Sequence, residues 1–345
     1  MAEHEESRAD SRDRGEVRPA GAAEGRGQAP PAGPGDGEAG PPSAGPAGGG
    51  AESAERGMRC GYVAICGFPN AGKSTLLNAL LDERLAIVTP KPQTTRRKTL
   101  GILNLPRGQA VFLDTPGILT PRDELHSAMM RQVEESIRDA DVLLYVVDVR
   151  RPAVAPGVAV AAARKPVVVA LNKADLLAVP EESLPAIERL RPELPGAEFY
   201  VISALRGAGV PALRDHLLEK LPEAPPFYPP DVLTEHPERF FVTELIREAL
   251  FERFAKEVPY AAEVELTAFR EQPGRKDLIE ADIFVETESQ KAILIGKGGQ
   301  AIRELGRRAR TAIEGLLGRE VFLALRVKVL PHWRADRQAL RRFGY

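Results

Sequence analysis

Glycines, hydroxyl groups, carboxylates and a lysine are concentrated in four short segments, which begin at Gly67, Asp114, Asn172 and Ser203. The first segment fits the pattern G-x-x-x-x-G-K-[ST] with the residues Gly67-Phe68-Pro69-Asn70-Ala71-Gly72-Lys73-Ser74. In this pattern the glycines let successive backbone N–H groups face phosphates, the lysine reaches the β and γ phosphates, and the hydroxyl binds Mg²⁺. The segment therefore predicts a nucleotide phosphate loop in which Lys73 and Ser74 have those roles.

The second segment places a carboxylate directly after an apolar run. It is Asp114-Thr115-Pro116-Gly117, and it follows Val111-Phe112-Leu113. From this position the Asp114 carboxylate can bind the Mg²⁺ shell through a water molecule, since Mg²⁺ keeps several of its waters in proteins. The Gly117 N–H can donate to the γ-phosphate. The segment is therefore expected to face the phosphate loop.

Two adjacent threonines lie between these segments, in Gln93-Thr94-Thr95-Arg96-Arg97. A threonine hydroxyl here can complete the Mg²⁺ coordination when the γ-phosphate is present, so that GTP orders the stretch and hydrolysis releases it. We favour Thr95 over Thr94 as this ligand. The residues that we assign to hydrolysis are then Lys73, Thr95, Asp114 and Gly117.

The third and fourth segments can recognise a base. They are Asn172-Lys173-Ala174-Asp175 and Ser203-Ala204-Leu205. The Asp175 carboxylate can accept hydrogen bonds from the guanine N1–H and exocyclic amine, which adenine does not offer. Lys173 can stack its stem over the base, and a backbone N–H near Ala204 can donate to the guanine oxygen. Together the four segments predict binding of GTP or GDP with Mg²⁺.

Short apolar runs precede these segments, and helical stretches separate them. The runs are Tyr62–Cys66, Ala110–Leu113, Val142–Val147, Val167–Leu171 and Phe199–Ile202. Such nearly continuous apolar runs are typical of parallel strands with helices on both faces, and ligands bind at the carboxyl ends of these strands. The pattern predicts an α/β domain with a mostly parallel sheet over residues 58–222.

The composition divides the rest of the chain into a tail, a linker and a second domain. Residues 1–57 are rich in Gly, Pro, Ala, Glu and Arg, with Val17 as the only branched aliphatic residue, which predicts a disordered tail. Residues 223–238 contain five prolines and predict a stiff linker. Residues 239–345 follow the order helix, strand, strand, helix, glycine loop, helix, strand, and predict a smaller α+β domain.

The cysteine and hydropathy patterns argue against a disulfide-rich protein, a cysteine metal site and a membrane-spanning helix. The net charge is −2, and Cys60 and Cys66 form neither a disulfide framework nor a metal site. No apolar run reaches the roughly 18 residues that span a membrane. The acidic N-terminal stretch is unlike a signal or transit peptide, so we expect a cytoplasmic protein.

A second glycine loop, Ile295-Gly296-Lys297-Gly298-Gly299, lies between an apolar run and a basic helix. It fits the loop with which a KH domain clamps the backbone of single-stranded RNA. Residues 286–345 contain 13 Lys and Arg against 6 Asp and Glu, a balance that suits a phosphate-rich partner. We predict RNA contacts at Gly296, Lys297, Gly298, Gly299, Arg303 and Arg307.

The chain resembles the Era family of translation-factor-class GTPases in its motifs G-x-P-N-x-G-K-S, Q-T-T-R, D-T-P-G and N-K-x-D. The resemblance extends from Cys60 to Tyr345 and includes a KH domain of type II. It implies slow hydrolysis, because Ile118 stands where many small GTPases have a water-orienting glutamine. It also implies a bound potassium ion, with Asn70 as one ligand.

The family resemblance further implies a partner that the residues alone do not specify. It implies binding of 16S ribosomal RNA near its 3′ end, assistance to 30S subunit assembly, and a monomer. It also raises peripheral association with the inner membrane, for which we identify no lipid-binding helix. Two alternatives stay open: an RNA-binding regulator in which nucleotide is mainly a conformational ligand, and a tRNA-modification-type GTPase, which the KH-like region disfavours.

Overall fold

The computed structural model describes residues 57–345, so the predicted disorder of the tail concerns residues outside the described part. Within residues 57–345 the chain forms nine strands and ten α-helices. The strands are β1 (Arg59–Cys66), β2 (Thr99–Leu105), β3 (Gly108–Asp114), β4 (Val142–Asp148), β5 (Val167–Asn172), β6 (Glu198–Val201), β7 (Glu263–Arg270), β8 (Asp277–Val285) and β9 (Val321–Val329). The helices are α1 (Lys73–Leu81), α2 (Glu124–Asp139), α3 (Pro156–Ala162), α4 (Leu184–Leu190), α5 (Val210–Lys220), α6 (Glu238–Arg253), α7 (Val258–Ala261), α8 (Glu288–Ile295), α9 (Gln300–Leu317) and α10 (Arg337–Arg342).

The first six strands form one sheet in the order β2-β3-β1-β4-β5-β6. All neighbours are parallel except β2, which runs antiparallel to β3. Sequence analysis did not identify β2, because Gly101 interrupts its apolar run. A Cβ atom at Gly101 would lie 2.6 Å from Leu81, so α1 packs directly over this strand.

Strand β1 shows why the strands of this sheet are apolar on both sides. Val63 and Ile65 belong to the core beneath α1 and α5, whereas Ala64 and Cys66 belong to the core beneath α3 and α4. All four residues are fully buried. The helices therefore cover both faces of the sheet and leave its carboxyl-terminal edge for ligands.

The proline-rich segment 223–237 forms neither helix nor strand and runs beside the outermost strand, β2. The Ile102 N–H of β2 donates to Leu233 O at 2.7 Å, and the Leu100 N–H donates to the His236 ring at 3.1 Å. The Asn104 amide donates to Pro230 O at 3.0 Å. The segment is thus attached to the first sheet along much of its length.

The second domain packs helices on a three-stranded sheet in the order β7-β8-β9, with β7 antiparallel and β9 parallel to β8. Helix α9 buries one residue per turn against this sheet, as its i, i+4 spacing requires: Ala301, Leu305, Ala309 and Ile313. The apolar run before the glycine loop is the end of α8, which begins with a Thr287–Gln290 capping box. No helix in residues 57–345 is long and apolar enough to cross a bilayer.

Candidate nucleotide and RNA-binding sites

The phosphate loop joins β1 to α1, and two of its glycines have no substitute. Gly67 has φ +152°, and a Cβ atom there would lie 2.2 Å from Val146 O. Gly72 has φ +97°, and its Cβ would lie 2.2 Å from the Asn172 amide nitrogen. Close backbone approach and left-handed geometry both require glycine here. The Lys73 ammonium folds back over the loop and donates to Gly67 O and Phe68 O, each at 3.2 Å.

Three oxygen ligands suited to Mg²⁺ converge beside Lys73. The Ser74 hydroxyl lies 2.7 Å from both the Thr95 hydroxyl and Asp114 Oδ2. The other Asp114 oxygen, Oδ1, is buried without a hydrogen-bond partner in the described structure. Burial raises the pKa of Asp114 to about 6, against the opposing charge of Lys73. An orphaned carboxylate oxygen beside two hydroxyls fits a hydrated Mg²⁺, which would favour the ionised carboxylate.

The two threonines point in different directions. The Thr94 hydroxyl contacts Thr89 and donates to Lys91 O at 2.9 Å, away from the phosphate loop. The Thr95 hydroxyl is the one beside Ser74. The geometry therefore favours Thr95 as the metal ligand.

The second predicted segment is docked against the phosphate loop. The Thr115 hydroxyl donates to Ile65 O at 2.9 Å, and the Ile118 N–H donates to Gly67 O at 3.0 Å. A Cβ atom at Gly117 would lie 2.8 Å from Pro69. The Gly117 backbone therefore lies directly against the phosphate loop, and its contact with the γ-phosphate stays a prediction.

The base-recognition segments meet at the ends of β5 and β6. The Asn172 amide donates to Ala71 O and accepts from the Ala204 N–H, both at 2.9 Å, so it braces the phosphate loop against the fourth segment. The Asp175 carboxylate accepts from the Ser203 hydroxyl. Lys173 pairs with Asp148 at 2.8 Å. Sequence analysis missed Asp148, whose only signal is its place at the end of β4.

The second glycine loop has left-handed geometry at three positions. Gly296, Gly298 and Gly299 have φ values of +72°, +59° and +74°. The Arg303 guanidinium donates to Gly298 O at 2.6 Å and to Gly299 O at 3.2 Å. Arg303 therefore braces the loop from within, in addition to its predicted role as an RNA contact.

A groove beside this loop runs between α9 and β9. Its lining is apolar on the strand side and basic on the helix side, with Ile302, Arg303, Gly306, Arg307, Arg310, Leu323 and Leu325. Arg308, on the same helix, pairs with Glu304 at 3.1 Å. Arg307 forms no ion pair within residues 57–345 and is exposed. The groove thus combines apolar surface for bases with free positive charge for phosphates.

Comparison with known proteins tests the resemblance directly. A family model described as a 50S ribosome-binding GTPase matches residues 62–173, and a KH domain model matches residues 257–334. The GTPase Era of Carboxydothermus hydrogenoformans is 40% identical over 293 residues, which cover 83% of this chain and 98% of that relative. This chain belongs to the Era family of GTPases. A chloroplastic ERA-like GTPase of Oryza sativa subsp. japonica is also 40% identical, over 83% of this chain and 69% of its own length.

Two solved Era structures are similar to this Era-family chain over most of both molecules. An Era variant of Aquifex aeolicus bound to GDP.AlF4⁻ has a TM-score of 0.80 at 38% identity and covers 84% of this chain and 99% of its own. Era in complex with MgGDPNP and nucleotides 1506–1542 of 16S ribosomal RNA has a TM-score of 0.78 at 39% identity, with the same coverage. They confirm the predicted fold class, a P-loop GTPase domain followed by a KH domain, and the predicted GTPase activity.

In this Era-family chain the loop between α1 and β2 contacts the KH domain. We call residues 88–98 the switch loop. Its Arg96 and Arg97 both pair with Glu263, the first residue of β7, at 3.0 and 2.9 Å. Sequence analysis missed Glu263, because a single acidic residue at a strand start carries no signal for a partner 167 positions away.

Proposed function

We propose that this chain hydrolyses GTP while bound to 16S ribosomal RNA near its 3′ end, and that it assists assembly of the 30S subunit. The observation that carries the proposal is the presence, in one chain, of a Mg²⁺–nucleotide site and a KH loop with an adjoining basic groove. A relative of the same architecture is known in complex with MgGDPNP and nucleotides 1506–1542 of 16S ribosomal RNA. The same ligands are therefore the natural candidates here.

We propose the following roles at the nucleotide site. The phosphate-loop amides and Lys73 would bind the phosphates, Ser74 and Thr95 would hold Mg²⁺, and Asp114 would hold the ion through a water. When bound, Mg²⁺ would supply positive charge to the phosphates. Gly117 donates its N–H to the γ-phosphate. The convergence of the hydroxyls and the orphaned Asp114 oxygen supports these roles.

Asp175 is our candidate for guanine specificity. Its neighbours Lys173, Ser203, Ala204 and Leu205 would enclose the base. A carboxylate at this position distinguishes guanine by accepting two hydrogen bonds, and an amide would offer one donor and one acceptor instead. Asp175→Asn should therefore weaken GTP binding strongly and improve relative binding of xanthine nucleotides, which nucleotide-competition measurements would detect.

The Ile118 side chain has no hydrogen-bonding group and cannot orient the attacking water, so another group must activate that water. Asn70 lines the pocket that also contains Lys73, Ser74 and residues of the switch loop. We propose that Asn70 contributes to a potassium site that would supply positive charge near the phosphates. Turnover in potassium buffer should then exceed turnover in sodium buffer, and Asn70→Ala should abolish the difference. Equal rates in both buffers would exclude the potassium site.

The decisive experiment measures binding to purified small ribosomal subunits with GTP, GDP or a non-hydrolysable analogue, followed by RNA footprinting. We expect nucleotide-dependent protection near the 3′ end of 16S ribosomal RNA. Arg307→Gln should reduce that protection, and Arg308→Gln, which alters an already paired side chain, is the matched control. Tight nucleotide binding without subunit association would contradict the ribosomal function and leave the GTPase intact.

The remaining assignments belong to this proposal as well. We retain domain limits of 58–222, 223–238 and 239–345, a monomeric state and a cytoplasmic location, and peripheral association with the inner membrane stays a prediction. Era-family membership sets aside the tRNA-modification alternative. The regulator alternative would be favoured if subunits failed to change the rate of phosphate release.

A further inference from the structure

The switch loop is attached to the KH domain on both sides of Thr95. On the amino-terminal side, the Lys91 ammonium donates to the carbonyl oxygens of Phe251 and Phe254 at the end of α6. The Arg247 guanidinium of α6 donates to Thr94 O at 3.0 Å. The residue before Thr95 is therefore fixed through its own backbone by the KH domain.

On the carboxyl-terminal side, Arg96 is almost completely buried, with 1% of its surface exposed. Its guanidinium donates to the carbonyl oxygens of Pro259, Tyr260 and Ala262 and to the Glu263 carboxylate, at distances of 2.7 to 3.1 Å. The residue after Thr95 is thus fixed more firmly than the residue before it.

Glu263 connects this arginine to the end of the chain. Glu263 Oε1 accepts from the Arg97 guanidinium at 2.9 Å. The Tyr345 hydroxyl donates at 2.8 Å to Glu263 Oε2, the oxygen that also accepts from Arg96. The Tyr345 ring also lies 5.1 Å from the Arg97 guanidinium, within the range of a cation–π contact. We call Arg96, Arg97, Glu263 and Tyr345 the junction cluster.

The arginines of the junction cluster stabilise the ionised form of the Glu263 carboxylate. Burial by itself would raise the pKa of Glu263, but the positive charges of Arg97, Arg247 and Arg96 lower it below the ordinary value. Removing one partner of a buried ion pair leaves the others uncompensated. The cluster therefore has one strongly preferred arrangement, and in that arrangement both arginines are held against the KH domain.

Thr95 occupies the single position between these anchors, and its hydroxyl lies 2.7 Å from Ser74 in the phosphate loop. Adjacent Cα atoms are about 3.8 Å apart, so Thr95 cannot move far while Thr94 and Arg96 stay in place. The KH domain consequently restricts where the Thr95 hydroxyl can lie in the nucleotide site.

We propose that Glu263 and Tyr345 are positioning residues for GTP hydrolysis: acting through Arg96 and Arg97, they hold Thr95 at the Mg²⁺ position. The inference rests on the proposed role of Thr95 as a metal ligand. It assigns to the KH domain a part in the enzymatic site as well as in RNA binding. By linkage, binding of Mg·GTP strengthens docking of the KH domain by the same factor by which docking strengthens Mg·GTP binding.

The test compares two glutamines introduced on one strand of the full chain. Glu263→Gln removes the charge between Arg96 and Arg97. Glu265→Gln makes the same change two residues along β7, where the carboxylate pairs with Arg342 at 2.8 Å and does not reach the switch loop. For each variant we would measure the affinities for GDP and for a non-hydrolysable GTP analogue over a Mg²⁺ titration, together with kcat and KM for GTP.

We expect Glu263→Gln to weaken binding of the GTP analogue by about ten-fold or more, a typical coupling between sites, while GDP affinity stays within about two-fold. The kcat should fall and should need more Mg²⁺ for saturation. Glu265→Gln should behave as the unchanged protein. A purely structural role for Glu263 would instead lower both nucleotide affinities together.

Two further variants keep the outcome interpretable. Tyr345→Phe deletes one hydrogen bond to Glu263. It should lower the ratio of GTP-analogue affinity to GDP affinity, as Glu263→Gln does, but by a smaller amount. This variant remains informative even if Glu263→Gln folds poorly. Thr95→Ala should reproduce the full effect. If Thr95→Ala leaves the ratio unchanged, the metal-ligand assignment is wrong and the inference with it. If Thr95→Ala changes the ratio but Glu263→Gln and Tyr345→Phe do not, the positioning role alone is overturned.

Discussion

The two glycine loops are both expected to bind phosphates through their backbones, yet the phosphate loop and the tip of the KH loop depend on glycine for different reasons. In the phosphate loop, Cβ atoms at Gly67 and Gly72 would collide with fixed neighbours at 2.2 Å. In the KH loop, a Cβ atom at Gly296 would lie 2.7 Å from Ala301, but Gly298 and Gly299, at the tip, have left-handed geometry and no atom within 4 Å of a Cβ position. The first loop is enclosed by its own domain, whereas the second is open to solvent and to RNA. Steric exclusion therefore governs the phosphate loop, whereas backbone conformation governs the tip of the KH loop.

The largest expected effect comes from Gly72→Ala. Its methyl group would displace the Asn172 amide, which links the phosphate loop to Ala204. We expect GTP and GDP affinity to fall by at least about 100-fold, or about 2.7 kcal/mol, in equilibrium binding with a fluorescent nucleotide. Gly196→Ala is the control, because Gly196 has φ +79° and no neighbour within 4 Å. Similar losses of affinity in both variants would show that the left-handed backbone conformation, and not the steric clash with Asn172, makes glycine necessary at position 72.

A smaller effect should follow from filling the groove beside the open loop. Gly306 lies on α9 with only Leu325 near its Cβ position, at 3.6 Å. Gly306→Leu would occupy the space for a base and should lower RNA affinity by about ten-fold, within the 1 to 3 kcal/mol that one stacked base contributes. Intrinsic GTP turnover should not change. Gly315→Leu, on the same helix outside the groove, should bind RNA normally in the same filter-binding assay.

Salt dependence separates the contribution of charge from that of shape in the groove. Arg307→Gln should weaken RNA binding a few-fold at low salt and reduce the slope of log affinity against log salt by about 1. Arg308→Gln should leave the slope nearly unchanged, since Arg308 is paired with Glu304. Identical slopes for the two variants would mean that Arg307 contacts no phosphate.

The smallest effect is expected at the tip of the open loop. Gly298 has φ +59° and ψ +23°, a conformation that costs alanine roughly 1 kcal/mol or more but that asparagine tolerates. Because the free loop bears most of the same cost, Gly298→Ala should lower RNA affinity by less than Arg307→Gln does, and Gly298→Asn should recover most of the loss. At Gly72 asparagine should give no such recovery. An equal loss for both Gly298 variants would instead point to close contact between loop and RNA.

The enclosed site was predictable because each of its parts is a local pattern that follows a strand. Lys73, Asp114 and Asp175 all belong to such patterns, and the structure brings them to one edge of the sheet. The choice between Thr94 and Thr95 needed the fold, because adjacent residues share one sequence signal while their side chains point apart. Arg96 and Glu263 could not be paired from the sequence, since an arginine and a glutamate 167 positions apart have many other possible partners.

The linker beside β2 has a consequence for the behaviour of the protein at high concentration. An outermost strand presents unpaired N–H and C=O groups, which readily recruit a strand from another molecule and so begin aggregation. Here Leu233, His236 and Thr234 bond to β2 at Ile102 and Leu100, and the prolines nearby lack the N–H needed to extend the ladder. The segment that connects the two domains therefore also protects the β2 edge of the first sheet from pairing with a strand of another copy.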